Sequence, residues 1–262
     1  MIAVCCALPQ ELNPLISCAN IRKKFHFEKS IFYQADLKGR PVIFVQTGIG
    51  RENAVKATTH LLQTINITIV ISSGVAGGIR EGIHVGDLIF AENVHYCRQG
   101  DFGGERLPVE SAFTVKGELV QLALELSDRL GVKYHCGDVL TVDKVIARAE
   151  TKRKIGRQDS FIAVDMESAA IAQIARDKDI DFVIIRSVSD DVDDDLAIDT
   201  DNLITDTGKV RISNLAVNIM RDPKQLANLR RLNKQTKKAA RCLSAFMREY
   251  IPLLYEKKIV DC

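Results

Sequence analysis

The sequence predicts a single α/β domain with a central mixed, largely parallel sheet flanked by helices. Three observations predict it. Apolar, β-branched runs recur along the chain, and several are too uniformly apolar to have a wet face, as in strands buried on both sides. Between them lie helical patterns with apolar residues at three- and four-residue intervals, the alternation expected of strands covered by helices. At 262 residues the chain stays within the range of one α/β domain and can bury a large core.

The elements follow in order. "IAVCCAL" reads as a first strand, and it has neither the basic start nor the long apolar core of a secretory leader. "PVIFVQT", "ITIVISS", "DLIFAENV", "DVLTV", "FIAVDM" and "FVIIRSVS" supply the other strands. "RENAVKATTHLLQT", "VKGELVQLALELSDRLG" and "ESAAIAQIARDKD" supply the helices. After Asp190 the character changes, with an acidic loop "DDVDDDLAIDTDN" and then "ITDTGKVRISNLAVNIMRDP" leading into a basic helix. Residues 206–262 are expected to form a C-terminal helical extension of the single domain 1–262. From Lys224 to Lys258 ten Lys or Arg stand against Glu249 and Glu256, a net of +8. Leu229, Leu232, Leu243, Phe246, Met247 and Tyr250 fall at helical spacing on it. A packed helix with a solvated basic face is the plain reading; contact with an anionic membrane or partner is the other.

Composition removes several classes. A formal charge of +2 is too balanced to announce a nucleic-acid binder. No apolar run approaches the ~20 residues that span a bilayer. Seven scattered cysteines show no framework spacing and are expected as reduced thiols, which with the absent leader predicts a cytoplasmic protein.

In "QTGIGRENA", Gly48 and Gly50 lie between a strand and a helix, as in a phosphate-cradling loop. A dinucleotide fingerprint wants a third glycine where Asn53 stands and an acid about 20 residues on, and no Asp or Glu occurs between Glu52 and Glu81. In "SSGVAGGI", Gly74, Gly77 and Gly78 either let backbone approach a ligand or make a tight turn. Asp191, Asp193 and Asp195 begin like a calcium loop, but Leu196 and Asn202 stand where its glycine and bidentate glutamate should be. The five histidines are dispersed and the cysteines lack zinc spacing, so neither metal nor organic cofactor is expected. No G-x-S-x-G elbow is present. Three acids remain just beyond strands: Glu11, Glu167 and Asp190. Each singly can be a helix cap; together, at strand carboxyl ends, they point to one pocket.

Those residues also carry a resemblance. Glu11 in "ALPQEL", "TGIGREN", "SGVAGGI…VGDL", "VDMESAAIA" and "IRSVSDD" together resemble the purine nucleoside phosphorylase and nucleosidase superfamily, nearest to the 5′-methylthioadenosine/S-adenosylhomocysteine nucleosidases. The C-terminal part is similar to the hopanoid-associated branch, whose implied reaction removes adenine from adenosylhopane. The resemblance implies a nucleosidase in which Asp190 protonates the departing adenine, Glu11 activates water, Glu167 holds the ribose hydroxyls and Met166 packs against the sugar. It further implies substrate contacts from Gly74, Val75, Ala76, Gly77, Val145, Ile146, Arg186 and Ser189, with Arg186 orienting acids or binding hydroxyls; a buried ion pair is the plain alternative. Asp165 receives no catalytic role and is expected to cap the helix.

Two departures from the family pattern matter. Phosphate-using members carry an arginine and a serine around the second glycine segment, where this chain has Ser72 and Val75. Losing a guanidinium removes the bidentate anion contact and favours water over phosphate. The aromatic residue that stacks on adenine falls at Val145, leaving Val145 and Ile146 as an aliphatic clamp. A homodimer is implied, with the basic helix as a peripheral membrane contact. The rival expectations are a nucleosidase for methylthioadenosine or S-adenosylhomocysteine, a phosphorylase, and a non-catalytic adenosine sensor.

Overall fold

The computed structural model describes residues 1–98, 107–158, 160–196, 224–257 and 259–260. Its strands are β1 (Ile2–Cys6), β2 (Asn20–Phe27), β3 (Ser30–Leu37), β4 (Arg40–Gln46), β5 (Ile69–Gly78), β6 (Leu88–Cys97), β7 (Val109–Thr114), β8 (Tyr134–Val142), β9 (Phe161–Asp165) and β10 (Asp181–Asp190). Its helices are α1 (Pro9–Ile16), α2 (Arg51–Thr64), α3 (Gly117–Leu130), α4 (Ala149–Gln158), α5 (Ser168–Arg176) and α6 (Lys224–Glu256). The seven strands and the helices read from the sequence are all present. Asn202 of the calcium comparison and the segment 204–223 lie outside the described residues, as does Cys262. The six described cysteines are free.

All ten strands belong to one mixed sheet. β5 pairs with β10, β10 with β6, β6 with β8, β8 with β9, and β9 returns to β5, so five strands close into a ring. From β5 the order β1–β4–β3–β2 runs outward as an open wing. Closure gives these strands partners on both edges, and β5, β6, β9 and β10 are buried along most of their length.

One edge of β5 is shared. Its first residues pair with β1 as far as Cys5↔Ser72, and its last pair with β9 from Gly77↔Val164. Between Ser72 and Gly77 that edge has no strand beside it among the described residues, while β10 runs along the other edge from Ile69 to Gly77. Parallel strands thus part at their carboxyl ends and leave a gap, the place where α/β sheets bind ligands.

The sequence reading missed five elements. β2 and β3 form a hairpin in which β2 mixes exposed with half-buried residues and β3 buried with half-buried ones, with Glu28 in a positive-φ turn (φ 48°). Lys23 and Lys24 on this edge strand break the apolar signal, as charges on sheet edges do. α1 carries Pro14 and half of α4 is charged, so neither shows a strong apolar stripe. β7 has four exposed positions among its six residues, Glu110 and Thr114 among them.

α6 lies along β10 and α1. Leu243, Phe246, Met247 and Tyr250 are buried, and the Tyr250 hydroxyl donates to Leu119 O at 2.8 Å. Full burial of such side chains stabilises by roughly 1.5–3 kcal/mol each, which anchors this half of the helix. On the other side Arg230, Lys234, Lys237, Lys238 and Arg241 are exposed.

Candidate active site

The site is built around the gap beside β5. Two of the three acids enter it from segments that follow strand ends, Glu11 from the first turn of α1 and Glu167 from the start of α5; the third, Asp190, is the last residue of β10. They line one cavity of about 220 Å³ and are 3%, 7% and 4% exposed. Capping alone places an acid on a helix; it does not gather three buried acids around one space.

Glu11 is held by backbone. Leu8 N donates to Oε2 and Val75 N to Oε1, both at 2.8 Å. The amide of Val75 belongs to the unpaired edge of β5, so a strand partner does not compete for it. Burial pushes the Glu11 carboxyl above its ordinary value, and Arg186 with the backbone donors opposes that rise.

Glu167 sits at the N-cap position of α5, yet its side chain reaches elsewhere: Gly50 N donates to Oε1 at 2.8 Å. The first glycine turn therefore supplies an amide to a carboxylate of the site. Gly48 and Gly50 have φ of 89° and 87°, a conformation that glycine adopts without a Cβ clash. Burial raises the Glu167 carboxyl to about 7, with Arg186 opposing and Asp165 adding to the rise.

Behind these two acids lies Arg186, 1% exposed. It forms an ion pair with Asp165 at 2.7 Å and donates to Ser72 Oγ at 3.0 Å and Ser168 Oγ at 2.7 Å. The geometry of Arg186 is that of a buried ion pair beneath the cavity. Asp165 does more than cap: besides accepting from Ser168 N at 3.3 Å and Thr141 Oγ1 at 2.6 Å, it neutralises this guanidinium.

The second glycine segment is strand rather than turn. A Cβ on Gly74 would come 2.2 Å from Arg186 Nη1 and 2.9 Å from Glu11 Oε1; one on Gly77 would come 3.0 Å from Asp190 Oδ2. These glycines make room for the functional side chains. Gly74 and Arg186 do not line the cavity, whereas Val75, Ala76, Gly77, Val145, Ile146, Met166 and Ser189 do, together with the three acids.

Asp190 is fastened by side chains. Ser189 Oγ donates to Oδ1 at 2.6 Å, and the Lys152 ammonium pairs with Oδ2. Lys152 drew no attention in the sequence because it sits in a charged stretch, "AETKRKIGRQ". Leu196 and, from α6, Leu232 and Thr236 also line the cavity; their sequence spacing carried no sign of it. Apolar side chains dominate the wall, and among the described residues no Arg or Lys faces it.

The arrangement is suited to proton chemistry on a neutral, largely apolar ligand. A carboxylate held by amides can accept a proton from water, while an acid on another part of the wall can give one. The model of the "Phosphorylase superfamily" matches residues 1–221. A 5′-methylthioadenosine/S-adenosylhomocysteine nucleosidase from Halalkalibacterium halodurans is 31% identical over 195 residues, covering 72% of this chain and 84% of the relative. One of the same description from Haemophilus ducreyi is 35% identical over 167 residues, covering 62% and 72%. The crystal structure of the Neisseria meningitidis nucleosidase of that description, in complex with methylthio-immucillin-A, superposes with a TM-score of 0.74 at 25% identity, covering 95% of this chain and 97% of that one.

Proposed function

The chain belongs to the phosphorylase superfamily, and on that premise we propose that it is a nucleosidase: it hydrolyses the N-ribosidic bond of a 5′-substituted adenosine and releases adenine. The observation that carries water rather than phosphate is the commitment of Arg186 to Asp165, Ser72 and Ser168, which leaves the described cavity wall without a guanidinium for an anion.

In this reading Glu11 takes a proton from the attacking water as its oxygen bonds to C1′. The C1′–N9 bond breaks, and Asp190 delivers its proton to N7 of the departing adenine. Positive charge builds on the sugar in between, and a nearby carboxylate stabilises it. Glu167 binds the ribose hydroxyls and Met166 packs beneath the ring. Val145 and Ile146 clamp the base by aliphatic contact, while Val75, Ala76, Gly77 and Ser189 contact the substrate along the ends of β5 and β10. Gly74 and Arg186 support these contacts from behind the wall.

For the 5′ substituent the apolar wall favours an apolar group, with a hopane as the extreme case. A cavity of about 220 Å³ falls below the ~300–1,000 Å³ usual for ligand sites, so a large substituent has to extend through the mouth. The exposed basic face of α6 would hold such an enzyme against an anionic membrane, and the working form would be a homodimer. Binding to anionic liposomes at low salt tests the first; light scattering tests the second. The central experiment incubates the protein with methylthioadenosine, S-adenosylhomocysteine, inosine and an adenosine bearing a long apolar 5′ group, with and without phosphate. Adenine release independent of phosphate is expected. Release that requires phosphate makes the enzyme a phosphorylase, and tight adenosine binding without release makes it a sensor.

A further inference from the structure

Lys152 is the one fully buried lysine among the described residues, at 0% exposure. Its ammonium has three protons to donate, and three acceptors surround it: the Asp190 carboxylate, Asp191 O at 3.0 Å and Asp194 O at 3.2 Å. The side chain comes from α4, and its acceptors lie at the end of β10 and in the loop that follows. It does not line the cavity.

Placing an ammonium in the interior costs several kcal/mol unless it is paired. A loop that merely needed fastening could be held by neutral donors. Here the charge is aimed at the one carboxyl that the proposed chemistry uses on the leaving-group side. With Ser189 Oγ on Oδ1 and Lys152 on Oδ2, both oxygens of Asp190 have a fixed partner, so the carboxyl cannot turn about its own axis without losing one. Lys152 also ties Asp190 to the loop 191–195, which reaches α6 through Asp194 with Arg231 and Gln235.

We infer that Lys152 is the positioning residue for Asp190: it fixes the plane of the carboxyl, so that the proton Asp190 takes up from solvent as substrate binds, on a lone pair that neither donor occupies, is presented to the leaving base. The inference rests on the nucleosidase reading and adds to it a residue outside the cavity. It makes a demand that a structural role does not: loss of Lys152 should matter only where the leaving group needs a proton. A p-nitrophenyl 5-methylthioriboside carries a leaving group that departs without one.

The test compares Lys152→Met and Lys152→Gln with the wild type on methylthioadenosine and on that nitrophenyl riboside, alone and combined with Asp190→Asn. Gln retains donors for the two loop carbonyls should the Met variant fail to fold; circular dichroism establishes which variants are native. The expected result is a fall in kcat for adenine release of about 10- to 100-fold, the scale of a misplaced catalytic group. KM should change less than about 3-fold, nitrophenol release should be nearly untouched, and either substitution should add less than about 3-fold on the Asp190→Asn background. If a folded variant slows both leaving groups alike, or its penalty multiplies with that of Asp190→Asn, the inference is overturned while the nucleosidase reading stands. If neither variant folds, Lys152 is a stability residue and the inference falls. If the wild type releases no adenine, or Asp190→Asn releases it at the wild-type rate, the reading of the site fails and the inference with it.

Discussion

The two ends of the cavity are held by different kinds of bond. At Glu11 and Glu167 the donors are backbone amides, those of Leu8, Val75 and Gly50, set in place by strand, turn and helix start. At Asp190 they are side chains, Ser189 and Lys152, and the loop beyond is laced to α6 through Asp194. A backbone donor stays where strand and turn put it, so long as its residue tolerates that conformation, as Gly50 does. A side-chain donor can be exchanged by one substitution. The first end is therefore rigid by construction, and the second is adjustable.

The largest expected break of this contrast is Asp190→Asn. Losing a general acid costs ~10²–10⁴-fold, so adenine release should fall at least ~100-fold while binding of a ground-state, non-hydrolysable substrate analogue is largely retained. Steady-state rates and calorimetric titration check the two halves. Next is Arg186→Met, which leaves Asp165 buried and unpaired. About 3–5 kcal/mol of stability should be lost, read from urea unfolding, and the Glu11–Glu167 end should lose its order.

Glu167 gives a pH signature. Its carboxyl is raised to about 7 in the fold, above the ordinary 4.5, so between these values the native state binds more protons than the unfolded one. Stability from this group is present below pH 4.5 and is lost as pH rises to about 7, by roughly 3 kcal/mol at ~1.4 kcal/mol per unit. Unfolding at pH 5 and pH 8 should show that loss in the wild type and its removal in Glu167→Gln. The smallest effect is expected from Arg231→Ala, since Arg231 is about half exposed in its pair with Asp194. Stability should change by less than about 1 kcal/mol, with KM rising a few-fold if the loop loosens. A large stability loss there would erase the distinction between the two ends.

The same contrast explains what the sequence discloses. The buried strands announce themselves through runs such as "ITIVISS", and the acids at their ends fall where a pocket belongs. The hairpin β2–β3 and helix α4 escape because their partners, not their own patterns, decide their structure. Lys152 escapes for a sharper reason: one lysine among several in "AETKRKIGRQ" looks solvated, and only the path of the loop after β10 encloses it. Leu232 and Thr236 likewise reach the cavity through the packing of α6. Gly74 was legible as a special position but not in its purpose, which is to leave space for Arg186 and Glu11.

The gap along β5 has a last consequence. Its rim is drawn where β1 leaves and β9 arrives, so the aperture is framed by main chain on registers fixed far from the opening. Side chains that upholster it come from separate segments, among them Ile49 before α2 and Leu232 on α6. Substitution can therefore recover the lining for a new substrate tail without widening the doorway or disturbing the frame, which makes this architecture tolerant of changes in substrate and intolerant of changes in chemistry.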